Sequence, residues 1–342
     1  MVHWDRKKYR RLLMIQIVAL LFIGLGIAFF LREDSGGPGS QPSFTIEKKM
    51  ALPLKEISGA AWRMGKQGPE LIVVGDRKAE LDIFTLDGEK REQLSFKALL
   101  TNQFSLCRTE DFEECSKLIK KMSSNWEALS VDGRGRVFLL QEHTQSVVVL
   151  SRDMNRVERV FHFNFADTFP KLIARGSKKF SKNALGEGLL LLKKGHILIG
   201  KEQYPMALVE FGPRGDRAIG LSPSTLLGPK ETFLDPVGDQ MQVDLQPLAY
   251  WILSGHSKCD ISDLDHDEAG QLLVLSQACR QIGLIKQLVP GREAVVSEYM
   301  NLPHEIINPE ALSRIGDRWL VGSDMARKRD YNFYILRKIS PL

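Results

Sequence analysis

Five short segments of this chain each place a polar side chain just ahead of an apolar run. They are ISGAAW at 57–62, NWEALS at 125–130, LGEGLL at 185–190, DISDLD at 260–265 and NPEALS at 308–313. Alignment puts Ser58, Glu127, Glu187, Ser262 and Glu310 in one column, and Asp76, Glu142, Glu202, Gln277 and Asp324 in a second. The two columns lie 18, 15, 15, 15 and 14 residues apart. If such segments surround a common axis, Glu127, Glu187 and Glu310 face one another. Converging carboxylates repel unless they are protonated or share a cation. Oxygen-only donors select Ca²⁺, or Mg²⁺ with its waters, over zinc. The expected metal ligands are Glu127, Glu187 and Glu310, with Asp263 from the acid cluster Asp260, Asp263, Asp265 and Asp267 as a fourth. Asp76, Glu142, Glu202 and Asp324 are expected to form a second polar ring at the opposite strand ends. The competing reading is structural: acids at strand ends bond turn amides or pair with the neighbouring Arg77, Lys201, Arg280 and Arg327.

A hydrolytic site is the alternative to a binding site. Metal in the first column would leave Glu142, Glu202 or His143 as general base on a bound water. Lys201, Arg280 and Arg327 would neutralise an anionic phosphoric or carboxylic ester. The sequence has no GxSxG elbow, no HExxH pair and no phosphate-cradling glycine loop. The Asp cluster lacks EF-hand spacing. Whether the chain is an enzyme stays open at this level.

The elements that must carry these residues are strands. Beyond residue 50, short apolar runs such as Leu71-Ile72-Val73-Val74, Val137-Phe138-Leu139-Leu140 and Leu272-Leu273-Val274-Leu275 alternate with Gly or Asp turns. The fold class is all-β. Successive units begin 69, 60, 75 and 48 residues apart, and the shortest matches a four-stranded propeller blade. The longer spacings imply insertions, at 104–124 and 212–258. A column of mostly small residues (Gly59, Ala128, Gly188, Asp263, Ala311) suits strands crowded near an axis. The last unit leaves only 32 residues after Glu310, so strand 44–54 is expected to complete the final blade. This reading gives a five-bladed propeller, or six blades if an insertion conceals a degenerate one.

The ordered series ISGAAW, WEAL, GEGL, DISDL followed by LLVLS, and PEAL resembles the SdiA-regulated propeller family, and also the related family called esterase-like activity of phytase. The resemblance covers about residues 50–340. It implies a bacterial, envelope-associated propeller with calcium at its axis.

Cys107, Cys115, Cys259 and Cys279 are even in number and allow three connectivities. Pairing Asp267 with Gln271 across a turn at Ala269-Gly270 sets 259 opposite 279, and the expected bridges are 107–115 and 259–279. Residues 12–31 are apolar apart from Gln16 and long enough to span a bilayer as a helix. Five cations (Arg6, Lys7, Lys8, Arg10, Arg11) precede them, so the positive-inside rule keeps residues 1–11 in the cytoplasm. The expectation is an uncleaved single-pass anchor in a bacterial inner membrane. A flexible linker at 32–43 then leads to a domain at 44–342 in the periplasm or outside the cell. The net charge of +5 comes mostly from that basic tail, which argues against a nucleic-acid-binding surface. The partners expected are the membrane and, through the insertions, an envelope protein or small ligand.

Overall fold

The computed structural model describes residues 42–54, 56–102, 112–168, 185–203, 205–236, 238, 240–253, 259–324 and 331–339. The basic tail, the apolar span at 12–31 and most of the linker lie outside these residues. Among the described residues, no helix is long and apolar enough to cross a membrane.

The apolar runs form strands β1 (Phe44–Met50) to β21 (Phe333–Lys338), grouped in five sheets whose four blade strands pair antiparallel. Blade I holds β2 (Gly59–Gly65), β3 (Gly68–Val74), β4 (Glu80–Thr85) and β5 (Lys90–Ser95). Blade II holds β6 (Trp126–Val131), β7 (Val137–Gln141), β8 (Ser146–Leu150) and β9 (Val157–His162), with β13 (Gln242–Asp244) added in parallel at its outer edge. Blade III holds β10 (Gly188–Leu191), β11 (Ile197–Lys201), β12 (Ala207–Gly212) and β14 (Gln246–Ile252). Blade IV holds β15 (Asp263–His266), β16 (Leu272–Ser276), β17 (Gln281–Ile285) and β18 (Glu298–Asn301). Blade V holds β19 (Pro309–Ile315), β20 (Arg318–Ser323) and β21, and β1 pairs with β21 to complete it.

Both faces of a blade pack against neighbours, which is why central strands read as unbroken apolar runs; β7 and β8 are buried at every position. Five apolar clusters occupy the five seams. Phe138 and Phe161 meet Leu189 and Phe211 between blades II and III, and Leu71 and Val73 meet Leu320 and Ile335 between blades V and I. The remaining clusters fill seams I–II, III–IV and IV–V. The ring is therefore closed. The chain is a five-bladed β-propeller.

The expected insertion at 212–258 holds no hidden blade: residues 213–245 connect the third and fourth strands of blade III, and β14 is that fourth strand. The connection lends β13 to blade II on its way, and its Phe233 packs with Phe138 and Phe161. Buried Arg136 pins it, bonding Asp132 (2.9 Å), Asp235 (3.0 Å) and the Phe233 carbonyl (2.6 Å). In the insertion at 104–124, residues Phe112–Lys121 form a helix.

The small-residue column has a steric cause. A Cβ on Gly188 would lie 2.8 Å from the Leu264 nitrogen and 2.5 Å from Leu264 Cγ, on the inner strand of the next blade. Gly188→Val is expected to cost about 2–3 kcal/mol in equilibrium denaturation. Gly186→Ala, whose Cβ would meet only side-chain carbons at 3.4 Å, should cost less than about 1 kcal/mol. Equal losses would discredit the close approach as the reason for the column.

Candidate functional site

Each first-column residue stands at or just before the start of an inner strand, and each second-column residue just past the end of the strand paired with it. Trp126 pairs with Gln141, Gly188 with Gly200, and Pro309 with Ser323. An antiparallel strand returns to where its partner began, so both columns lie at the same end of the blades. This corrects the expectation of a second ring at the opposite strand ends.

The result is one acidic cavity of about 260 Å³. Glu127, Glu187, Ser262 and Glu310 line it from the first column, and Asp76, Glu202, Gln277 and Asp324 from the second. Glu56, Arg77, Asp260 and Ile261 complete the wall. Sequence reasoning missed Glu56 as a site residue and placed Asp260 only in a local cluster. The signal was present two positions before the first column: Glu56, Asn125, Leu185, Asp260 and Asn308 are polar in four units of five. Asn125 and Asn308 adopt positive φ (60° and 48°), the tight backbone that feeds each inner strand. Residues of this column bond the second column: the Asn125 N–H donates to Asp76 Oδ1 (3.0 Å) and Asn125 Nδ2 to Glu142 Oε2 (3.4 Å).

Among the described residues, the side chains of Glu127 and Glu187 have no ion-pair or hydrogen-bond partner. Glu310 Oε1 accepts from Gln277 Nε2 at 2.7 Å. Burial, reinforced by the charges of Asp76, Glu142, Glu310 and Glu202, pushes the Glu127 carboxyl up to about 9. Burial and then Glu127 and Glu202 hold Glu187 well above the carboxylate range. Glu310 is pushed up to about 8 by burial and by Asp324 and Asp76. Arg77 is mostly exposed and pairs with Glu56 Oε1. Among the described residues, four oxygens at this end are buried without a partner: Glu56 Oε2, Ser58 Oγ, Ser323 Oγ and Asp324 Oδ1. An acid-rich wall without His or Cys, and with unpartnered oxygens, fits a hard divalent cation. As the side chains stand, no three acidic, His or Cys groups among the described residues are close enough to ligate one ion together.

Not every expected site residue reaches the cavity. Asp263, expected as a ligand, is buried in the IV–V seam. Its oxygens accept the backbone N–H groups of Leu264 (2.8 Å) and Leu312 (2.7 Å). Asp265 likewise accepts the Arg314 N–H. The two acids cap alternate amides on the free inner edge of β19, a demand that sequence spacing does not reveal. His143 is exposed in the β7–β8 turn, away from the cavity wall. Glu142 is buried beside the cavity, accepting the Leu185 N–H at 2.8 Å. Glu202 is in the wall, raised by burial and by Asp260. Lys201 is buried, donates to the Gln203 carbonyl and is lowered to about 8 by burial against the pull of Glu202 and Glu142. Arg280 sits at φ 51° in the β16–β17 turn, outside the wall. Arg327 lies outside the described residues.

The register Asp263↔Leu275, with the Asp267 N–H on the Gln271 carbonyl, is the one expected from the turn at 269–270. It sets the Cα atoms of Cys259 and Cys279 5.2 Å apart, and they form a disulfide. Cys115 is also disulfide-bonded; Cys107, its expected partner, lies outside the described residues.

No family model matches the chain, and no curated protein matches it. The family resemblance therefore rests on the motifs alone. Among solved structures the chain is similar to glutaminyl cyclase from Myxococcus xanthus, with TM-score 0.48, 10% identity, and 88% of this chain and 100% of that one covered. It is also similar to the PQQ-bound aldose sugar dehydrogenase of Streptomyces coelicolor, with TM-score 0.43, 9% identity, and 88% and 99% covered. For virginiamycin B lyase of Staphylococcus aureus the TM-score is 0.42 at 8% identity, with 86% and 100% covered. Likenesses this distant bear on neither activity nor ligand.

Proposed function

We propose that this chain is a membrane-tethered propeller of the bacterial envelope, akin to the SdiA-regulated family, that holds a divalent cation, Ca²⁺ by its donor set, in the acidic axial cavity. The observation that carries the reading is the convergence of Glu127, Glu187 and Glu310 from three blades on about 260 Å³, with no basic side chain among the described residues paired to any of them. That volume has room for one ion and several waters. Glu127, Glu187, Glu310, Glu202, Asp76 and the unpartnered oxygens of Glu56 and Asp324 supply the ligand pool. The cation would tie blades I, II, III and V together at the end where their carboxylates otherwise repel. Residues 12–31 supply the tether, and the insertion of blade III faces a partner.

Calorimetric titration of the full chain with Ca²⁺ in detergent tests this. Binding is expected with release of protons, because Glu127 and Glu310 hold theirs up to about 9 and about 8. Affinity should therefore rise from pH 6 to pH 8. Glu127→Gln and Glu310→Gln should each weaken binding by about tenfold or more. Absence of heat together with no thermal shift on adding EDTA would remove the metal from this reading.

A further inference from the structure

One wall of the acidic cavity is closed by a covalent bond. Cys259 comes immediately before Asp260, and Cys279 two positions after Gln277; Asp260 and Gln277 both line the cavity. The disulfide between the two cysteines, 20 residues apart in sequence, joins the approach to β15 with the turn between β16 and β17. It therefore closes the blade IV hairpin at its acidic end.

The segment beside the bridge is bonded into the cavity wall. Ser276, the last residue of β16, donates its Oγ–H to Asp260 Oδ1 (2.7 Å), and the Ala278 N–H donates to the same oxygen (3.0 Å). The Asp260 and Cys279 N–H groups donate to Ser276 Oγ (3.3 and 3.2 Å). Gln277, held in this turn, is the residue that donates to Glu310 of blade V (2.7 Å). On the other side, the Ile261 N–H donates to the Glu202 carbonyl of blade III (3.2 Å). The bridged turn thus touches one wall acid on each neighbouring blade.

Hydrogen bonds at a turn open to solvent exchange for bonds to water at little net cost. A covalent tie does not. With the bridge closed, the chain beside Asp260 and Gln277 is ordered before an ion arrives, and a site ordered in advance binds more tightly. The bridge is also within reach of a reagent: both cysteines are half-buried and Ala278 is exposed. Cys115, which belongs to another disulfide, is buried.

We propose that the Cys259–Cys279 bridge is a redox control on the axial cation site, which binds tightly while the bridge is closed and weakly once a dithiol has opened it. One thiolate of the dithiol attacks a bridge sulfur and breaks the S–S bond; its second thiol then displaces the mixed disulfide. Two electrons and two protons pass to the bridge, which becomes two thiols, and the dithiol becomes a disulfide. The inference rests on the cation reading above.

Calorimetric titration of the full chain with Ca²⁺ in detergent, well below the melting temperature, tests it before and after treatment with dithiothreitol. Opening the bridge is expected to raise Kd by about five- to tenfold, and reoxidation to restore it. The double variant Cys259→Ser/Cys279→Ser should bind as weakly as the reduced chain and ignore dithiothreitol. Where that variant does not fold, mild reduction carries the test, because the half-buried bridge opens before the one at Cys115; peptide mapping of alkylated thiols verifies which has opened. A purely structural brace would lower the melting temperature and leave the Kd of the folded chain unchanged. That result, or a double variant that binds as tightly as the oxidised chain, overturns the inference and leaves the cation in place. Absence of Ca²⁺ binding by the oxidised chain is a separate failure, of the cation reading itself, and removes the control with it.

Discussion

Freed of divalent cations by EDTA, the chain should melt at progressively lower temperature as the pH is raised from about 5 to about 8. The native carboxyls of Glu127 and Glu310 titrate near 9 and near 8, against 4.5 for an unperturbed glutamate. Between those limits the folded state binds more protons than the unfolded state, so stability falls as pH rises. Below the unfolded value both states are protonated and the slope disappears. The limiting slope is about 1.4 kcal/mol per pH unit for each such acid. Water in the cavity and shared protons reduce it, and a total loss on the order of 3 kcal/mol is expected across the window. Burial opposes the charge on His196, but hydrogen bonds to Glu210 and Asp216 outweigh it and raise its titration, so it adds a loss of the same sign. Lys201, lowered to about 8 by burial, reverses the sign above that pH, which is why the window ends there.

Glu127→Gln separates these contributions, because it replaces a protonated carboxyl by a neutral amide of the same shape. The variant should melt above the unsubstituted chain at pH 8 in EDTA and with a flatter pH dependence. Ca²⁺ should restore the unsubstituted chain at pH 8 and have little effect at pH 5, where protons already neutralise the cavity. A melting temperature that stays level from pH 5 to pH 8 in EDTA would mean that the three glutamates are not crowded as described.

The second large effect concerns closure of the ring. Phe44→Ala is expected to cost about 3–4 kcal/mol in equilibrium denaturation. Its ring is buried and packs edge-on to Trp319, with centroids 5.1 Å apart, in the cluster that fills seam IV–V. It also begins the strand that pairs with β21 from Phe44↔Lys338 to Met50↔Phe333. This one pairing joins the first described strand to the last. Losing its anchor loosens blade V and both seams it shares. Asn332, which bonds the backbone of Leu52 and Leu54, ties down the segment just after β1. A loss below about 1 kcal/mol would mean that closure does not depend on this strand.

Much of the architecture was readable before any coordinates. Central blade strands are buried on both faces, so runs such as Ser146–Leu150 announce themselves. Spacing then gives the unit, and the short remainder after Glu310 leaves the last blade in need of β1. The bridge 259–279 followed from one turn, because antiparallel register is set by its hairpin. Residues 212–258 were harder. Their strand β13 pairs with β9, a partner far away in sequence, and local pattern carries no record of such a choice.

At the acidic mouth, residue type and spacing by themselves determined that Glu127, Glu187 and Glu310 belong together, since a repeat places equivalent residues equivalently around an axis. Tertiary structure alone decided that the second column joins them, because a hairpin folds its far end in sequence back beside its beginning. It also took Asp263 out of the ligand set, since it caps the amide of Leu312 on the next blade as well as that of Leu264 on its own, and left His143 facing solvent.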